Sequence, residues 1–111
     1  WVNYQKKGEY NPLHLHENCD ISWVIYVDVP EEIYSEPKVG NRYAPGVVSF
    51  YYGDRNFFNA NQYQVKPKAG DILIFPSWLQ HSVQKFDTDV IRTSVAGNTK
   101  LTDTFLRRYV Q

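Results

Sequence analysis

The sequence predicts an all-β domain, a barrel or sandwich of short strands with few short helices. Three observations lead there. Runs rich in β-branched and aromatic residues recur along the 111 residues, separated by turn signals containing Gly, Pro, Asn and Asp. Aromatic side chains make up 16% of the chain, which suits pleated half-buried surfaces and pocket walls. No window before residue 100 repeats its apolar positions with the 3.6-residue period of an amphipathic helix.

The elements follow in order. "KKGEYNP" is a turn, and 13–16 reads as extended. "ISWVIYVDV" at 21–29 is the longest strand run, because Ile, Val and aromatics fill both of its faces. The polar stretch 31–46, "EEIYSEPKVGNRYAPG", reads as a long excursion, either a lid or a disordered surface loop. "VVSFYY" at 47–52 is a strand that ends in the turn "YGDRN". "KPKAGD" introduces "DILIF" at 71–75, and Pro76 ends that ladder because it has no N–H to donate. A short return then carries His81. "DVIRTSVA" at 89–96 is a further strand, and "LTDTFLRRYV" at 101–110 is a short helix or a last strand.

Composition narrows the function classes. At 42% hydrophobic, 111 residues supply one core, so a single domain over 1–111 is expected. Twelve Lys and Arg balance twelve Asp and Glu, which argues against long nucleic acid or an anionic membrane as partner. Arg107 and Arg108 then read as a solvated face. One cysteine, Cys19, rules out an intrachain disulfide framework, and a passive thiol is preferred over a metal ligand. No apolar run approaches the ~20 residues that span a bilayer, and no charged-then-apolar leader opens the chain. A soluble, intracellular protein is expected.

Only three histidines are present, and their placement carries the chemistry. Residues two apart on a strand share a face, so His14 and His16 in "HLHEN" form a bidentate half-site suited to Fe, Zn, Cu or Ni. His81 follows 65 residues after His16, at a strand end that could meet the first pair. In "DVIRTSVAGN", alternation puts Val90, Arg92, Ser94 and Ala96 on one face and Ile91, Thr93 and Val95 on the other. Both faces are mostly apolar, so the strand is expected to be covered on both sides. A buried Arg92 needs an anion, either an internal carboxylate or a bound one, and Ser94 could donate to the same group.

"HLHENCD", then "GDILIFPSWLQH", then "RTS" eleven residues after His81, resembles the double-stranded β-helix (jelly roll) of the cupin superfamily. More specifically it resembles the Fe(II)/2-oxoglutarate-dependent oxygenases, in particular short ones encoded by phages and bacteria. The resemblance covers Trp1 to Asn98; "FPSWLQHSV" with "RTSVAGN" is its specific part. It implies Fe(II) and 2-oxoglutarate as cofactor and co-substrate, with His14 and His81 as metal ligands. Position 16 holds His where most such enzymes have Asp or Glu. That departure leaves three possibilities: a site of His14, His16 and His81, which is favoured; a site completed by Asp20; or a site that has lost iron. Glu17 ranks last, since it points away on a regular strand.

The resemblance further implies that Arg92, helped by Ser94, holds the distal carboxylate of 2-oxoglutarate. Asn3 and Tyr26 become candidate co-substrate contacts, with ordinary sheet residues as the alternative, and Trp23, Trp78 and Phe75 could supply dry walls, with core packing the preferred role for each. The implied reaction is oxidative decarboxylation to succinate and CO2 coupled to hydroxylation of a C–H bond. The alternatives are a metal cupin of another class, such as a thiol dioxygenase or sugar isomerase, and a non-catalytic barrel. A homodimer and a cytoplasmic location, or the host cytoplasm if phage-encoded, are expected from the family alone. The substrate, a small molecule or a side chain, is left open.

Overall fold

The computed structural model describes residues 1–37, 40 and 44–109. Eight strands carry the fold: β1 (Val2–Gln5), β2 (Asn11–His14), β3 (Ile21–Asp28), β4 (Val48–Tyr51), β5 (Gln62–Val65), β6 (Ile72–Pro76), β7 (Gln80–Val83) and β8 (Arg92–Thr99). They form two antiparallel sheets, in the orders β1-β8-β3-β6 and β2-β7-β4-β5. β4 pairs with β5, β3 with β6, β2 with β7 and β1 with β8, so the pairs nest like one long hairpin and alternate between sheets. That is the jelly-roll arrangement, a mainly β fold as expected.

Alternation decides what faces inward. On β3, Ser22 and Tyr26 are buried between the sheets, with Val24 half-buried on the same face, while Trp23, Ile25 and Val27 alternate onto the other. On β8, Arg92 and Ser94 are buried, with Ala96 on the same face. The other face is only half-covered at Thr93 and Val95, and Ile91 is exposed, so the expected burial on both sides does not hold. The strand also starts later than expected, at Arg92.

The apolar core lies below the site, where Tyr26, Val29, Ile33, Val48 and Phe86 pack together. Ile33 sits in a 3-10 turn, Glu31–Ser35, and is fully buried, so the first part of the 31–46 excursion is anchored to the core. The rest of that expectation, at 38–39 and 41–43, lies outside the described residues. Gly46 closes the excursion with φ +66, and a Cβ there would stand 2.7 Å from Ile33 Cγ2, so only glycine fits. The C-terminal segment resolves to a helix, α1 (Asp103–Tyr109), with no buried residue and with Arg107 and Arg108 exposed.

Candidate metal centre and co-substrate pocket

β2 is an edge strand, which tolerates Pro12 inside it. It ends at His14, which stands directly opposite His81 of β7. His16 lies beyond the strand, a difference from the expected extension through 13–16. It is held by a hydrogen bond from its own N–H to the carbonyl of Ser77, 2.9 Å. The Ser77 N–H donates to the Asp20 carbonyl, and its buried hydroxyl meets Ser22 Oγ at 2.9 Å, which ties the β6–β7 turn to β3. Asn18, at φ 60, supplies the left-handed residue that turns the backbone toward β3.

The three imidazoles therefore converge. Ring centroids lie 4.2 Å apart for His14 and His81, and 5.2 Å for His16 with each of the others. One nitrogen from each ring falls within 4.8 Å of the others, so the three could hold a metal ion. Ligation at ~2.1 Å in a facial arrangement needs nitrogens about 3 Å apart, a closure of under ~2 Å.

The backbone around the rings favours ligation. His14 Nδ1 lies 2.6 Å from the Pro12 carbonyl and His81 Nδ1 lies 2.9 Å from the Leu79 carbonyl. A carbonyl only accepts, so both Nδ1 atoms carry the proton and both Nε2 atoms keep a free lone pair. Burial lowers the His81 pKa to about 4; His14 and His16 add to that, while the Leu79 hydrogen bond opposes it. Burial and then His14 lower His16 also. Phe75 and Phe50 wall His81 at 4.8 and 6.0 Å.

Asp20 does not join this cluster: it is exposed, and its carboxylate accepts from the Leu101 N–H at 2.6 Å. Glu17 is exposed and also outside the cluster. Cys19 is half-buried, with Sγ 3.4 Å from the Glu17 carbonyl.

Below the histidines the same cavity, about 90 Å³, reaches Arg92. At the ~10–15 Å³ one water needs, it admits roughly six to nine water-sized groups, the scale of a small diacid. Arg92 is 3% exposed, and among the described residues the only ion pair is Lys85–Asp87. Its guanidinium donates to the Gly46 carbonyl at 2.5 Å and to Gln5 Oε1 at 2.6 Å, and faces the Tyr26 ring at 5.6 Å. All of these partners are neutral. A buried cation compensated only by dipoles favours an added anion.

Pairing lines up the neighbouring candidates. Asn3, Ser94 and Tyr26 stand side by side across β1, β8 and β3, one step above the Gln5–Arg92 pair. All four expected residues, Asn3, Tyr26, Arg92 and Ser94, line the cavity, as does Phe75. Of the other two wall candidates Trp23 borders the cavity and Trp78 does not. The Trp23 indole packs directly over Gly97, which also lines the cavity, leaving no room for a Cβ there, and donates to Thr99 Oγ1. Trp78 is 58% exposed and packs on Tyr52. Sequence alone does not single out Gln5. Buried, it donates to the Glu9 and Gln84 carbonyls and accepts from Arg92; alternation from Asn3 is the one available signal.

The family model described as "Putative 2OG-Fe(II) oxygenase" matches residues 1–98. The chain belongs to this 2OG-Fe(II) oxygenase family. No curated protein matches it. For a 2OG-Fe(II) oxygenase the implied cofactors are Fe(II) and 2-oxoglutarate, and the matched residues include all three histidines and Arg92. Among the described residues no helix is long and apolar enough to cross a membrane.

Proposed function

We propose that this protein is an Fe(II)- and 2-oxoglutarate-dependent hydroxylase in which His14, His16 and His81 hold the iron and Arg92 receives the distal carboxylate of the keto acid. One observation carries the reading: a single cavity has three convergent imidazoles at its mouth and, at its floor, a buried guanidinium whose partners among the described residues are all neutral. The donor set fits the metal, since imidazole suits iron and two rings have their tautomer fixed for Nε2 ligation. With imidazole in place of the usual carboxylate, the protein cancels none of the ion's charge, which favours a dianionic co-substrate.

Bound iron supplies activation of O2 coupled to decarboxylation of the keto acid. The protein's own part is binding, orientation and exclusion of water. Arg92 is presented by Gln5 and Gly46 and offers a charge-assisted pair to a carboxylate, with Ser94 and Asn3 above it. Phe75 and Phe50 keep the His81 side dry.

The test is an anaerobic titration. Fe(II) and 2-oxoglutarate together should give a weak visible charge-transfer band that needs both. Arg92→Ala should weaken 2-oxoglutarate binding at least tenfold, the scale of ~1.5–3 kcal/mol for hydrogen bonds to a charge, while leaving Fe(II) binding in place. Unchanged affinity in that variant would remove Arg92 from the role. Metal binding without any effect of the keto acid would point instead to a metal cupin of another class.

A further inference from the structure

β5 and β6 are the terminal strands of their two sheets, and both border one open groove of about 750 Å³ along the side of the sandwich. Its inner wall is Phe50 and Phe75, 4.9 Å apart, the two rings that also pack on His81. Groove and metal cavity share Phe75 and Leu73 as a wall one side chain thick. Leu79 also lines the groove, and its carbonyl meets His81 Nδ1 on the side of the ring away from the metal-facing Nε2.

The lining is selective. In a protein that is 22% charged, no charged side chain among the described residues borders the groove. Asn59 and Asn61 each donate one amide N–H to a backbone carbonyl, of Asp54 and Gly53, which fixes their neutral side chains at the groove. Neither Gln62–Val65 nor Ile72–Pro76 contains a charge that would guard its edge, and each strand has a sheet partner on one side only. Exposed strand edges bind extended backbone through N–H and C=O groups, with alternate side chains entering adjacent pockets. An ionised side chain would lose its hydration against these walls with no partner to replace it.

From these observations we propose that the groove holds an uncharged, extended stretch of polypeptide, apolar at alternate positions, and that this segment is the substrate, one of its side chains reaching the metal past the Leu73–Phe75 wall that groove and cavity share. The substrate claim rests on the function proposed above. In that reaction one atom of O2 enters a C–H bond of the delivered residue to give C–OH, and the other enters succinate as 2-oxoglutarate loses CO2. No further oxidant or reductant is needed.

The test selects capped random dodecapeptides from a synthetic library on the full-length protein with Mn(II) and 2-oxoglutarate. Tyr63→Glu and Ala60→Glu, each placing a charge at an exposed groove position, serve as counter-selection, with thermal melting to confirm that both fold. Expected is at least tenfold enrichment of uncharged peptides with alternating apolar residues on the wild type over both variants. Equal retention by the variants, selection of charged peptides, or binding of maltohexaose with no peptide retained would each overturn the proposal. Selected peptides are then incubated with Fe(II), 2-oxoglutarate and O2, and gain of one oxygen is read by mass. Succinate formed while the peptide stays unmodified overturns the substrate claim. Peptides retained by a protein that binds no 2-oxoglutarate leave the groove assignment supported and bring down the oxygenase reading alone.

Discussion

At the scale of single residues, the site depends on how Arg92 is held. Gln5→Leu removes one neutral acceptor from a buried guanidinium and should raise the KM for 2-oxoglutarate about tenfold with a smaller change in kcat, measured as succinate release. Gln5→Glu should be worse, because a carboxylate against Arg92 takes the place of the incoming anion; a fold intact by circular dichroism with co-substrate binding lost is the expected result. Tyr26 offers a spectroscopic check. Burial raises its phenol to about 12, with Arg92 opposing the shift. The folded state therefore holds that proton between about pH 10 and 12 while the unfolded state releases it. Stability is present below pH 10 and declines as pH rises toward 12, and phenolate absorbance should show Tyr26 ionising late. The histidines and Arg92 are legible in the sequence because rare or charged residues at strand positions stand out. Gln5 is not, since a guanidinium can be met by any amide or carbonyl and nothing in "VNYQ" distinguishes one.

At the scale of elements, apolar strand runs are legible, even the four-residue β4, and short polar strands are not. β3 and β6 carry enough β-branched residues to declare themselves, and Pro76 does end β6. β2, β5 and β7 have four residues each, two per face, too few to display a period. That shortness also explains His16: the ladder stops at His14, and the ring is brought in by the Ser77 backbone, a tertiary contact that no local pattern encodes. The packing partner of Trp23 is a glycine on the neighbouring strand, known only once the β3–β8 register is. Gly97→Ala tests that packing. Its Cβ would collide with the indole, so the variant should lose about 1–3 kcal/mol in urea unfolding and shift the Trp emission, while keeping metal affinity. A neutral result would mean the indole moves aside freely.

At the scale of the whole molecule, the ligands belong to the folded state alone. His14 and His81 face each other across two strands that are neighbours in the sheet and distant in sequence. A metal that binds only this state stabilises it by mass action, ~2.7 kcal/mol at a hundredfold excess over Kd. For a protein of this size the melting temperature should rise by roughly 10 °C with Mn(II), and a chelator should reverse it. His81→Ala should abolish the rise, and a rise that survives in it would place the ion elsewhere. The nesting of strand pairs has a kinetic consequence too. The innermost hairpin, β4–β5, closes a short loop, whereas even the nearest pair of β1–β8, Gln5 and Arg92, is 87 positions apart. Loop closure of that span comes before any reward from the contacts it brings, so refolding should be slow for the protein's length. During synthesis the first two imidazoles leave the ribosome long before their counterpart on β7, and a nascent polypeptide captures no ion until most of its length is out.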